Sequence, residues 1–282
     1  MSRSYSRPYP RCFSAVERTD TVTTHGEDCR PSRTARAAIL GVEVDRLTME
    51  ETISRIVDGI DHRIPCHHVV VNAAKIVAMT KDPVLESIVR NCQLVNADGQ
   101  SVVWASRLLG DPLPERVAGI DLMQQLLQVA EERGYRPYFL GAREEVVNEF
   151  VERVKKNHPG LQLAGWRNGY FGNAADEMRV VKDIADSHAE ILFVAMGTPM
   201  KEFWIHRHFT AINVPFCMGV GGSFDVYSGH VKRAPVWAQR AGLEWLFRLL
   251  QEPRRLWWRY LSTNIRFGLL TLRWLAGLGR RT

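Results

Sequence analysis

The 282-residue chain lacks several things that would have fixed its class at once. Its five cysteines (12, 29, 66, 92 and 217) form no CxxC pair, so neither a zinc ribbon nor a disulfide framework is written into it. An odd, unpatterned set without a secretory leader points to a reducing compartment. Residues 1–37 have no apolar core of the kind a signal peptide needs. No run reaches the ~18 uncharged residues of a spanning helix. There is no internal repeat, and no low-complexity tract after residue 37. The histidines show no metal-ligand spacing: His206 and His208 lie two apart on an expected helix and face different ways. We expect no metal and no cofactor. The first strand is followed by "GVEVDRLT", not by the glycine fingerprint of a dinucleotide-binding turn, which weighs against a nicotinamide oxidoreductase.

What remains is an ordinary globular composition, 45% apolar and 24% charged, with a formal net charge of +6. Its distribution matters more than its size. Residues 1–37 hold seven arginines against four acidic residues, and residues 244–282 hold eight against two. The stretch between them is mildly acidic. This argues for local basic patches and against general attraction to polyanions; no nucleic-acid motif accompanies them. The division suggests a disordered basic arm (1–37), a folded domain (38–243) and an arginine- and tryptophan-rich appendage (244–282).

Short apolar runs alternate with amphipathic ones through the middle. Strands are expected at 37–42, 67–72, 92–97, 136–141, 161–166, 190–197 and 216–222. Helices are expected at 48–60, where Thr48 and Glu51 have capping-box spacing, and at 121–133, 143–157, 175–187 and 199–210. Alternation of this kind predicts an α/β fold, a parallel sheet with helices on both faces. Ligands of such sheets bind beyond the carboxyl ends of the strands. The residues placed there are Asn72, Asp98-Gly99, Gly141, Gly197-Thr198-Pro199 and the stretch Gly219 to Asp225.

Each has an ordinary reading beside a chemical one. Asp98-Gly99 is a common turn dipeptide, and it is also a carboxylate at a strand mouth, close to a helix expected to begin near Ser101. "GVGGSFDVYSG" (219–229) is a tight packed turn or a phosphate-and-ribose cradle holding Gly221, Gly222 and Asp225. In "MGTPMKEFW", Pro199 suits the first helical position, which puts Lys201 and Glu202 in the first turn. Arg116 is a surface arginine or an anion clamp.

The tail poses the sharpest question. "EPRRLWWRYL" (252–261) interleaves tryptophan with arginine. As a helix, Arg248, Arg255, Arg259, Arg266, Arg273 and Arg280 keep to one stripe, with Pro253 interrupting the register. Trp257, Trp258 and Leu261 lead an apolar face beside it. A core helix with a solvated charged side is one reading; a helix lying in a lipid interface is the other, where anionic lipid adds about 1 kcal/mol per arginine. Without lipid, the same face could seed a homo-oligomer.

Several of these segments together resemble a known family. "VNADGQSVVWASRLLG…ERVAGIDL", "FLGA", "MGTPMKEFW" and "GVGGSFDVYSGHVKRAPVWAQRAGLEWLFRLLQEPRRLWWRYL" are similar to the WecG/TagA/CpsF family of bacterial glycosyltransferases over roughly residues 38–262. The resemblance implies a Rossmann-like domain with a C-terminal helical appendage that docks on the membrane. It implies inverting, metal-independent transfer of a sugar from a UDP-sugar to a polyprenyl-diphosphate-linked glycan at the cytoplasmic face of the plasma membrane, in surface polysaccharide synthesis. On that basis Asp98 is the general base, and Arg116, Arg248, Arg255 and Arg259 hold the diphosphate. Asp225 binds the nucleotide, and Asn72, Gly141, Lys201, Glu202, Gly221 and Gly222 line the substrate site. Two positions depart from the family pattern: Val70 stands where a threonine is usual, and Lys201 where a glutamine is. Both bear on the donor sugar. A competing reading is a UDP-binding, membrane-associated scaffold that has lost the chemistry.

Overall fold

The computed structural model describes residues 36–240 and 242–279. Residues 1–35, and so nearly all of the expected basic arm, lie outside it. Arg36 and Ala37, placed at the end of that arm by the charge division, belong to the first strand and are buried.

The run expected as one strand at 37–42 is a hairpin. β1 (Arg36–Ile39) and β2 (Val42–Asp45) pair antiparallel across Leu40-Gly41, whose φ values are 50° and 85°. Two consecutive positive φ angles make a turn that matches strand twist, and alternating apolar residues had hidden it. Arg36 Nε donates to Asp45 Oδ1 at 3.0 Å in a buried pair. The other oxygen of Asp45 accepts from Val95 N at 2.7 Å, which pins the hairpin to the sheet edge.

The main sheet is six-stranded and parallel, in the order β4-β3-β8-β7-β5-β6. Its strands are β3 (Cys66–Val71), β4 (Leu94–Ala97), β5 (Pro137–Gly141), β6 (Gly165–Arg167), β7 (Ile191–Ala195) and β8 (Phe216–Gly219). Every residue of β4, β5, β7 and β8 is buried, as expected where helices cover both faces. The strand expected at 161–166 is displaced: only three residues pair, at the sheet edge, and they start at Gly165.

The expected helices appear within two residues of their bounds. They are α1 (Met49–Asp61), α5 (Gly119–Arg133), α6 (Glu144–Asn157), α7 (Ala174–Asp186) and α8 (Met200–Ile212). Pro199 is the cap of α8 rather than its first residue. Thr48 and Glu51 close a full capping box on α1. Two helices were missed, α2 (Ala73–Met79) and α3 (Pro83–Asn91); α4 (Gln100–Leu108) follows β4. After β8 come α9 (Ser223–Tyr227), α10 (Val236–Arg240), α11 (Glu244–Gln251) and α12 (Pro253–Leu275).

One face of the sheet packs on α1, α5 and α6, the other on α2, α3, α4, α7 and α8. Phe224 of α9 stacks on Phe150 of α6 with ring centroids 4.0 Å apart, and Phe139 of β5 meets both edge-on. This aromatic cluster anchors the glycine turn between β8 and α9.

The tail is not a free appendage. α12 lies against α2, with Phe267 and Thr271 buried and Leu270 and Trp274 packed on the same cluster as the hairpin. Its opposite side is exposed: Trp257, Trp258, Leu261, Ile265, Leu269, Leu272 and Leu275 fall within a stripe about 120° wide at 3.6 residues per turn. None of the helices among the described residues is long and apolar enough to cross a membrane.

Candidate active site

The residues expected at the carboxyl ends of the strands do gather there, and the helix caps say why the place is special. α1, α3 and α7 are capped by their own side chains, Thr48, Asp82 and Asn173. Five helices that begin at the sheet mouth have no side-chain cap: α4, α5, α6, α8 and α9, whose cap positions are Gly99, Ala118, Arg143, Pro199 and Gly222. The N-termini of α4, α5, α6 and α8 therefore face the mouth without a capping side chain of their own, and such helix ends favour negative charge. α2 is the exception, since Asn72 Oδ1 accepts from Lys75 N at 3.0 Å. The expected ligand residue Asn72 thus already serves as a cap.

Asp98 leaves β4 and sits half-buried between α4 and α5. Its backbone N–H donates to Val71 O at 2.9 Å, and its Oδ1 accepts from Gly119 N at 3.3 Å. Burial pushes its carboxyl above the usual range against the pull of Arg116; Glu244 adds to the rise, while Arg248 and the Gly119 N–H oppose it. A carboxylate with raised proton affinity, at hydrogen-bonding reach of an open mouth, can accept a proton.

Arg116 reaches toward the tail. Its Nη1 lies 3.3 Å from Glu244 Oε2. Glu244 Oε1 lies 3.7 Å from Arg248 Nη2 and 4.0 Å from Arg233 Nε. Arg233 also donates to Asp121 at 2.6 Å. Arg116 and Arg248 were expected here; Glu244 and Arg233 were not. Arg233 lies in the basic "KRAP" stretch that helped carry the resemblance, which was the signal available. The side chains of Arg255 and Arg259 lie outside the described residues.

Lys201 and Glu202 are buried together with Lys75, a residue the sequence gave no reason to choose. Glu202 Oε1 takes both ammonium groups, Lys75 at 2.6 Å and Lys201 at 2.9 Å. Lys201 also donates to the Thr198 hydroxyl. Burial pushes Glu202 upward, but the two lysine charges outweigh it and hold the carboxyl at about 2. Burial, aided by Lys75, brings Lys201 down to about 8. Val70, the other departure from the family pattern, packs on the start of α5, with a methyl 3.5 Å from where a Gly119 Cβ would stand.

A cavity of about 140 Å³ opens on the other side of the mouth. It is lined by Ala142, Arg143, Gly169, Tyr170, Ala195, Met196, Gly197 and Asp225. Asp225 lines it, together with Arg143 and Tyr170, which the sequence did not single out. Gly141 adjoins Ala142, with φ +123° and a Cβ position only 2.5 Å from Ala195 O, so close strand packing alone demands glycine there. Gly221 has φ +56°.

A parallel α/β sheet whose mouth combines a carboxyl of raised proton affinity, converging guanidinium groups and helix N-termini without capping side chains has the chemistry of a class: proteins that take phosphate-bearing ligands. The class narrows when the chain is compared with known proteins. The model of the family described as "Glycosyl transferase WecG/TagA/CpsF family" matches residues 37–281, and the chain belongs to that family; it is a glycosyltransferase. It is 42% identical over 182 residues (64% of this chain, 69% of the relative) to the N-acetylglucosaminyldiphosphoundecaprenol N-acetyl-beta-D-mannosaminyltransferase of Bacillus spizizenii. It is 36% identical to the enzyme of that name from Bacillus subtilis, over 72% of this chain and 78% of the relative. With the Staphylococcus aureus enzyme it shares 33% identity over 80% and 88%.

Proposed function

We propose that the protein transfers an N-acetylhexosamine from its UDP derivative to an undecaprenyl-diphosphate-linked glycan, inverting the anomeric centre without a metal. The relatives, named as N-acetylmannosaminyltransferases acting on N-acetylglucosaminyl-diphosphoundecaprenol, make N-acetylmannosamine the first donor to test. Asp98 takes the proton of the acceptor hydroxyl as that oxygen attacks the anomeric carbon. The bond to the UDP oxygen breaks in the same displacement. Arg116, Arg233 and Arg248 carry the charge that develops on the diphosphate, a task suited to groups that pair with phosphate bidentately and stay charged. Arg255 and Arg259 are proposed to join them. Asp225 and the cavity beside it receive the nucleoside. The observation that carries this reading is the meeting, at one mouth, of a carboxyl of raised proton affinity with guanidinium groups from both the core and the tail.

The exposed stripe of α12 led by Trp257 and Trp258 is proposed to lie on the inner face of the plasma membrane, which would bring the site to a lipid-borne acceptor. Because Phe267 is part of the core, deleting the tail would confuse docking with unfolding; Trp257→Ser with Trp258→Ser is the cleaner test, read by sedimentation with anionic vesicles.

The deciding experiment offers labelled UDP-sugars, neutral and uronate, with a polyprenyl-linked acceptor, to native protein and to Asp98→Asn. Transfer by the native form alone supports the enzyme, its base and the donor together. Equal transfer by both removes Asp98 as base. UDP binding with no transfer from any donor favours the scaffold reading.

A further inference from the structure

Glu244 is out of place for a diphosphate site. It puts a negative charge where the donor's phosphates would have to bind. It opens α11, and among the described residues three guanidinium groups lie within 4.0 Å of it, from three separate parts of the chain: Arg116 before α5, Arg233 between α9 and α10, and Arg248 one turn along α11. The contacts are loose for such a focus. Arg116 stands at 3.3 Å and the other two beyond hydrogen-bonding distance. Arg233 Nε is buried without a hydrogen-bond partner. Three forks built for bidentate pairing thus meet at one carboxylate, with Asp121 as a second partner of Arg233, and a buried donor is left unused. A diphosphate brings more oxygens and more charge to the same point.

We propose that Glu244 is an internal stand-in for the diphosphate: it occupies the anion site of the empty enzyme and is displaced when donor or UDP binds. This rests on the reading of the arginines as the diphosphate site. Two consequences follow. The guanidinium groups are held converged, and their mutual repulsion relieved, before substrate arrives. The same competition weakens the hold on UDP after transfer and so favours product release. Glu244 also raises the proton affinity of Asp98, so its departure is felt at the base.

The test is calorimetric binding of pyrophosphate and of UDP to the full chain, native and with Glu244→Gln or Glu244→Asp, each checked by thermal unfolding. Removing one competing charge should tighten pyrophosphate and UDP about tenfold in Glu244→Gln, the scale of one close charge pair, while Glu244→Asp stays within about twofold of native. Equal or weaker binding by Glu244→Gln overturns the proposal. If that variant does not fold, the neighbouring Trp245 reports on the native protein: pyrophosphate should change a fluorescence component that is absent from Trp245→Phe. No such change at saturation also overturns it. Tighter pyrophosphate binding by Glu244→Gln, with no UDP binding by either form, would keep this proposal and sink the UDP-donor reading. UDP binding equally to all forms would do the reverse. If neither pyrophosphate nor UDP binds to native protein or to Glu244→Gln, both readings fall.

Discussion

Two carboxylates face the same mouth and have been driven in opposite directions. Glu202 is wholly buried, yet two lysines on one of its oxygens hold it ionised down to about 2. Asp98 is half-buried and its proton affinity is raised: burial is the largest cause, Glu244 adds to it, and the opposing pull of Arg116, Arg248 and the Gly119 N–H at 3.3 Å does not cancel it. Burial acts on both acids, so burial alone does not set the direction of the shift. What decides is whether the positive charge nearby is aimed at the carboxylate or past it. Glu202 ties α2 to α8; Asp98 is kept available.

The largest test of that contrast is to remove each acid in turn. Asp98→Asn should cut transfer by about 10³-fold, within the span of general-base catalysis, with UDP affinity and unfolding free energy little changed. Glu202→Gln should act on the other axis. It leaves two buried ammonium groups without their counter-ion and should cost about 3–5 kcal/mol in urea unfolding. The contrast collapses if Glu202→Gln spares stability and abolishes transfer.

These two acids also mark the limits of what the sequence made legible. The order of strands and helices followed from hydrophobic period, and position after a strand was enough to bring out Asp98, Asp225 and the glycine turn. Glu202 could be placed near the mouth, and the resemblance put it in the substrate site, but its ion pair was not legible because its partner Lys75 is 127 residues away in sequence. Glu244 was legible only as one acid among many arginines, since convergence of 116, 233 and 248 is a property of the fold. The hairpin was hidden for a local reason: apolar residues on both sides of Leu40-Gly41 read as one continuous strand. α12 was read for its exposed face; its buried face, Phe267 to Trp274, shares the same leucine- and tryptophan-rich composition and could not be separated from it.

Acid sharpens the comparison with a smaller effect. A carboxyl whose folded pKa is depressed contributes stability above its unfolded value and loses it as pH falls through the folded one. For Glu202 that window runs from 4.5 down to about 2. The difference in unfolding free energy between native protein and Glu202→Gln should therefore shrink across it. Asp98, raised instead, has the opposite sign: native protein should gain relative to Asp98→Asn as pH falls. Parallel curves in both pairs would mean that the two environments are equivalent after all.

The smallest effect concerns Lys201. Its folded value of about 8 lies below the ordinary 10.5, so its contribution is present above 10.5 and is lost as pH falls through about 8. Relative to Lys201→Met, native protein should gain on the order of 1 kcal/mol between pH 8 and 10.5, measured by urea unfolding at several points. That rise would mean the second ammonium is in surplus: Glu202 is satisfied by Lys75, and Lys201 carries positive charge that the fold itself does not require. A surplus charge in the first turn of α8 is what a donor sugar bearing its own carboxylate would exploit, and uronate donors should then gain over N-acetylmannosamine. A flat difference would mean that Glu202 compensates both lysines fully. Lys201 would then be fixed to its carboxylate, with nothing left to offer a charged sugar, and the neutral donor of the relatives would be the one this site accepts.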